Sequence, residues 1–380
     1  MLKKILFIVG IVIIGGLSGI IFDRYLFPHL ATSRLFSKNE FFKKASENVT
    51  VINKTEQVYI NEDSSINKIT NQIVPAVVNI VSYPKETLKN SLPKKIVVST
   101  NSTGEIVTSD GIIMTYLGAP VDFERIYKVI TSNGNVYDAN LLGVDSWSNL
   151  ALLKINASNL PVVSFGNSNE YNLGEKLIAI SNNSPEYQNK FAAGLLRSFD
   201  SSYNISGEAL SRAEKIEGVF MADFNMENMS AGGPIVDYAG QVLGITGSTI
   251  KNGKIEYFQI PANKAKMVLD KEINNALDSN ISLGIYYLPI NKTLALANDL
   301  SVEHGALIYS ASGQQGLSVI SGSPADKAGM KINDIITKVF EEEINLKNNL
   351  SDILYKYKKG DKVEFTVLRS KDEIKIEVQL

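Results

Sequence analysis

From Ala76 onward the chain is written in short β-type runs separated by turn residues, and this spacing restricts the fold more than any other feature. The runs fall at 76–82, 106–115, 126–131, 150–155, 176–181, 219–223, 235–238, 241–247 and 257–260. Asn133-Gly134 and Ala239-Gly240 stand where hairpin turns are needed. Many short strands at near-regular spacing, with few helical periods, specify antiparallel barrels or a sandwich. A helical period then appears over 261–273 (Ala265, Val268, Leu269), followed by a polar link at 274–280. A second unit follows, with β-type runs at 283–287 and 317–320, a helix over 346–357 and closing strands at 363–369 and 374–380.

The other end of the chain reads differently. Lys3-Lys4 precedes an apolar run from Ile5 to Phe22, closed by Asp23-Arg24. As a helix this run is about 27 Å long, just enough for a bilayer core. No small-residue cleavage site follows it, so the expectation is a retained signal anchor. Lys3 and Lys4 favour a cytoplasmic N-terminus, while Arg24, Arg34 and Lys38 pull the other way, so flanking charge leaves the orientation open. Residues 25–73 read as a polar stalk. A formal charge of −2 gives no field to hold nucleic acid. Cysteine is absent, which removes disulfides, thiolate metal sites and cysteine nucleophiles. No ligand cluster offers a metal site and no phosphate- or dinucleotide-binding fingerprint occurs, so neither metal nor cofactor is expected. Histidine occurs twice, as His29 and His304.

Several stretches resemble the HtrA/DegP-type serine proteases. The segment from Asp145 to Ile155 is similar to the family's D-x-x-x-D-L-A-V-L-K-I, and Phe165-Gly-Asn-Ser-Asn169 to its L-G-D-S-D. Gly232-Gly-Pro-Ile-Val236, Gly240-Gln-Val-Leu-Gly-Ile245 and Phe258-Gln-Ile-Pro261 continue in family order. Leu283-Gly284-Ile285, Ser323-Pro-Ala-Asp-Lys-Ala-Gly329 and Lys359-Gly-Asp361 resemble the PDZ domain that follows the protease in this family. The match runs from about Val74 to Leu380 and implies a mainly β chain. A trypsin-like double β-barrel (74–270) would be followed by an α+β PDZ domain (281–380), behind an N-terminal transmembrane helix (1–24). It also implies a single-pass protein with its bulk outside the cytoplasm. Assembly as a homo-trimer, or beside an active paralogue, follows from the resemblance alone.

The same resemblance locates the catalytic positions, and the residues there lack the chemistry. A serine protease needs an oxygen nucleophile, an imidazole base, a carboxylate to orient it and amide donors for the oxyanion. Gly118 falls at the base position, Asn149 at the orienting carboxylate and Ala231 at the nucleophile. Met229 replaces the glycine of the oxyanion loop. Ser230, one residue early, is the fallback nucleophile but still lacks a base. His304 reads as a surface loop residue and Trp147 as barrel packing. The PDZ unit keeps its working parts: the amides of Leu283, Gly284 and Ile285 would hold a peptide's terminal carboxylate while the peptide adds a strand. That loop is expected to be exposed, with Ile353 and Leu354 of the following helix lining the pocket. The reading is a pseudoprotease binding peptide C-termini or unfolded segments. Its rivals are an active endopeptidase with a rearranged nucleophile, and a structural subunit without peptide ligand.

Overall fold

The structure is a computed structural model. It describes residues 62–85, 99–117, 125–182, 188–205, 210–224, 230–251, 253–274, 276–277 and 281–380, with residues 7, 10, 11, 14–19, 22 and 26 of the first sixty. The chain divides into two units, 1–60 and 61–380. In the first, residues 7, 10, 11 and 14–19 are helical. No helix among the described residues is long and apolar enough to cross a membrane. Eight of the eighteen residues of the expected Ile5–Phe22 span lie outside the described residues.

The second unit opens with helix α1 (Glu62–Ile73), at the end of the segment that reads as a polar stalk. Its apolar stripe is only three isoleucines wide: Ile69 and Ile73 are buried in the first barrel's core, and Ile66 packs beside them. Six strands close that barrel in the order β1 (Val77–Pro84), β2 (Thr100–Ile106), β3 (Ile112–Tyr116), β6 (Leu150–Ile155), β5 (Val136–Val144), β4 (Arg125–Ile130). The run expected at 106–115 is in fact a hairpin. Val107 N–H donates to Ile112 O at 2.9 Å, and Gly111 turns the chain with φ +103°. Asn133-Gly134 is the expected turn, with φ +83° at Gly134.

The second barrel closes in the order β10 (Glu217–Ala222), β13 (Lys254–Pro261), β12 (Val242–Lys251), β11 (Pro234–Val236), β7 (Lys176–Ser181), β8 (Lys190–Asn204). Met114, Leu150, Leu152, Ile245, Phe258 and Ile260 form an apolar cluster where the barrels meet. Helix α2 (Ala262–Ile273) adds Ala265 and Val268 to it.

The remaining sheet runs β19 (Asp372–Gln379), β18 (Lys362–Arg369), β16 (Ile335–Val339), β15 (Ala306–Ile308), β14 (Tyr286–Pro289), with the short β17 (Glu342–Glu343) beside β16. Three short helices accompany it: α3 (Lys292–Ala297), α4 (Pro324–Lys327) and α5 (Leu350–Leu354). Beyond β14 the sheet takes a strand from another part of the chain: β9 (Ser211–Arg212), from the connection between β8 and β10.

Candidate functional site

Of the positions singled out for catalysis, Asn149, Ser230 and Ala231 lie at the seam between the barrels; Gly118 and Met229 are outside the described residues. Asn149 has φ +59°, a conformation that asparagine tolerates better than most residues. Its N–H donates to Asp145 O at 2.8 Å, closing a turn in which Ser148 N–H and Oγ donate to Asp145 Oδ2 at 2.8 and 2.7 Å. Lys215 Nζ donates to Asn149 Oδ1 at 3.3 Å. The Asn149 side chain also hydrogen-bonds the Tyr116 phenol, whose hydroxyl donates to Ser248 O of the second barrel at 3.2 Å. Burial pushes that phenol's pKa up, and the Asn149 bond partly offsets the rise.

Across the seam, Ala231 packs on the inter-barrel cluster. Ser230 is buried, and its Oγ donates to Ala231 O at 3.3 Å. Among the described residues no hydrogen bond joins it to an amine or an imidazole. The next residue, Gly232, has φ +84° and donates to Thr246 O at 2.7 Å; a Cβ there would collide with Thr103 O. A tight turn therefore follows Ala231, whose methyl side chain carries no nucleophilic atom. His304 lies in the bend before β15, 3.6 Å from Glu343 and partly exposed.

The second candidate, the loop before β14, differs from expectation in one respect: it is buried. Leu283 and Ile285 are each 1% exposed, and Gly284 is buried with φ +77°. Its amide does meet a carboxylate. Gly284 N–H donates to Glu214 Oε1 at 2.8 Å, and Ser282 Oγ donates to the same oxygen at 3.2 Å. Glu214 belongs to the segment that carries β9, seventy residues earlier in the chain.

A model of the trypsin-like peptidase domain matches residues 96–245, and one of the PDZ domain matches residues 294–380. A probable periplasmic serine endoprotease DegP-like of Chlamydia muridarum is 30% identical over 284 residues, covering 74% of this chain and 54% of the relative. The serine protease Do-like HtrA of Lactococcus lactis is 24% identical over 359 residues, covering 86% and 84%. The chain carries an HtrA/DegP-family trypsin-like protease domain followed by a PDZ domain. It spans about half the length of the DegP-like relatives it matches. Among solved structures, the HtrA-type protease AlgW with decapeptide superposes with a TM-score of 0.61 at 20% identity, covering 82% of this chain and 97% of that one. At that identity the likeness concerns the fold.

Between β14 and α5, where the resemblance leads one to expect a peptide groove, residues of the segment that carries β9 are packed instead. Ala213 is 4% exposed and shares a core with Leu283, Ile285, Ile353 and Leu354. Ile353 and Leu354 of α5, which the sequence allows either to line a pocket or to pack in the core, are buried in that core. Trp147 covers α5, its indole N–H donating to Ser351 Oγ at 2.8 Å. Behind β9, Glu217 accepts from Ser211 Oγ at 2.6 Å and from Tyr287 Oη at 2.8 Å. Burial raises its pKa from the ordinary 4.5 to about 7, against the lowering effect of those two donors and Lys264. Lys264 of α2 donates to Glu217 O and, at 2.8 Å, to Asp352 Oδ1 of α5. Asn349 Nδ2 donates to Glu217 O at 3.0 Å. A void of about 20 Å³ remains beside Ala213 and Trp147, room for a single water. None of Ser211, Ala213, Glu214, Glu217 or Lys264 was legible as a site residue, because each acquires its role from a partner more than forty residues away.

Proposed function

We propose that this chain is a pseudoprotease of the HtrA type whose PDZ domain binds peptide C-termini or the ends of unfolded segments outside the cytoplasm. The observation that carries the reading is the Gly284 amide, which in this structure donates to a carboxylate. A loop able to hold one carboxylate by backbone N–H is chemically equipped to hold a peptide's terminal one, because the interaction needs no particular side chain.

On the barrel side the proposal rests on residue chemistry. Ala231 has no atom that can attack a carbonyl. Asn149 carries no charge to stabilise an imidazolium, and its amide is engaged by Lys215 and Tyr116. Ser230 has its hydroxyl on a backbone carbonyl rather than on a base. Membrane anchoring through residues 5–22 and an extracytoplasmic body belong to the same proposal. The apolar run supports the first, and the word periplasmic in the names of the Chlamydia relatives supports the second. A homo-trimer or an active paralogue would be the natural assembly partners.

Calorimetry on the full chain tests the reading with two peptides of one sequence, one ending in a free carboxylate and the other amidated. Charge-assisted hydrogen bonds contribute about 1.5–3 kcal/mol each, so amidation should weaken binding at least about tenfold. Equal affinity would mean that the carboxylate is not read and that the PDZ unit only packs. The filled groove favours that second reading, in which the domain is a structural subunit, and the peptide pair decides between them.

A further inference from the structure

A groove of this kind asks three things of its ligand: a strand beside β14, a side chain small or apolar enough for the pocket, and a carboxylate at the loop amides. One segment of the chain meets all three. Ser211 stands opposite Tyr287 and Arg212 opposite Tyr286 in an antiparallel register. Continued by two residues, that register sets Glu214 opposite Gly284, where the hydrogen bond is found. Between them Ala213 enters the apolar pocket with Leu283, Ile285 and Leu354. The Glu214 carboxyl thus reaches, from the residue after Ala213, the amide that would hold the α-carboxylate of a peptide ending at Ala213. Arg212 lies over the Tyr286 ring, 5.5 Å from its centre, and 3.7 Å from Glu214 Oε2.

We propose that Ser211–Glu214 is an internal ligand of the PDZ groove, which an external C-terminus must displace before it can bind. The inference rests on the reading that this groove takes C-termini, and it specifies the ligand further: a free carboxylate on a small apolar last residue, in an extended chain. A tethered ligand competes at high effective concentration, so the apparent affinity for a free peptide falls by the fraction of molecules in which the groove is open. Displacement also takes Ser211 away from Glu217, which links occupancy of the groove to the barrel–PDZ contact.

The probe is the peptide of residues 207–213, Gly-Glu-Ala-Leu-Ser-Arg-Ala with a free C-terminus, titrated into the full chain and into its Glu214→Gln variant. Removing the internal charge should tighten the peptide's binding by about tenfold or more, the reverse of what loss of a binding residue would do. Equal affinity of the two proteins for the free peptide, with the amidated peptide still discriminated, would sink the internal ligand and leave the C-terminus reading standing. No preference for the free carboxylate in either protein would remove both. Hydrogen exchange on the unmutated chain guards against a misfolded variant. Saturating peptide should strip protection from the amides of 212–214 while those of 284–287 stay protected. Unchanged protection at 212–214 in the bound state would show that nothing was displaced.

Discussion

The indole of Trp147 lies stacked on the ring of Tyr355, centroids 4.0 Å apart and planes 21° apart. One ring comes from the turn before β6 and the other from the end of α5, so the stack joins barrel to PDZ domain. Both polar ends are engaged as well. The indole N–H donates to Ser351 Oγ at 2.8 Å, and Tyr355 Oη donates to Asp145 Oδ1 at 3.0 Å. Lys271 Nζ sits 3.6 Å from the centre of the Tyr355 ring. Aromatic surface provides the attraction while the hydrogen bonds fix the orientation.

Trp147→Ala should therefore uncouple the two domains. The substitution leaves a cavity and an unpaired Ser351 hydroxyl, at a cost of about 3–5 kcal/mol. Urea unfolding followed by circular dichroism should change from one transition toward two. Trp147→Phe keeps a ring but loses the N–H, and should cost about 1 kcal/mol plus the lost ring area. Wild-type stability in the alanine variant would show that the stack contributes nothing.

The barrels should not hydrolyse peptides. With Gly118, Asn149 and Ala231 as the proposed occupants of the catalytic positions, purified protein should leave unfolded casein intact and fail to react with a fluorophosphonate. Ser230 is the residue to watch. Covalent labelling that disappears in Ser230→Ala would restore the rearranged-nucleophile mechanism.

Gly284 is a poor place to probe the groove, contrary to what its sequence context suggests. An exposed loop would accept valine. Here Gly284 is buried with φ +77°, and a Cβ would collide with the Cβ of Ser323, which caps α4. Positive φ on a β-branched residue costs about 1–3 kcal/mol, and overpacking adds about as much again. Gly284→Val should lower the melting temperature as well as abolish binding. A variant that melts like the wild type would place the glycine in a looser loop than this one.

The sequence disclosed elements whose pattern is local. Strands β6 and β7 have the expected bounds, and α2 begins one residue later than expected, because their apolar runs end at clear turn signals. Strand β8, the longest, went unrecognised: Phe191, Leu195 and Phe199 face outward, and its pairing with β10 shifts register twice. Helix α1 was hidden by having only Ile66, Ile69 and Ile73 as its apolar stripe. For the site, Gly284 was legible as an amide donor from its own motif. Glu214 was not, because nothing around a solvent-type glutamate in a loop announces a partner seventy residues away.

Topology of the N-terminal segment is open to direct test. With residues 5–22 as a single span and the body outside, protease added to intact spheroplasts should digest the barrels and the PDZ domain. A body protected until the membrane is lysed would reverse the orientation. Release of the whole chain by high salt alone would argue against a span.

Docking of the PDZ domain should weaken as pH rises. Glu217 is faced by Ser211 and Tyr287 on the groove side, by Lys264 of α2, and by Asn349 and Asp352 at α5. Burial lifts its pKa from 4.5 to about 7, so between those values the folded protein holds a proton that the unfolded chain has released. Stability from this group is fully present below about pH 4.5 and is lost as pH climbs toward 7, by up to about 1.4 kcal/mol per unit. Asp145 and Asp352 are shifted upward by burial too, so they act in the same direction. Urea melts from pH 5 to pH 8 should show a fall in stability for the wild type that levels off above about pH 7, and a shallower one for Glu217→Gln. Equal slopes for the wild type and Glu217→Gln over this range would mean that Glu217 is already ionised at pH 5, and that the contact is held by charge instead of by a retained proton.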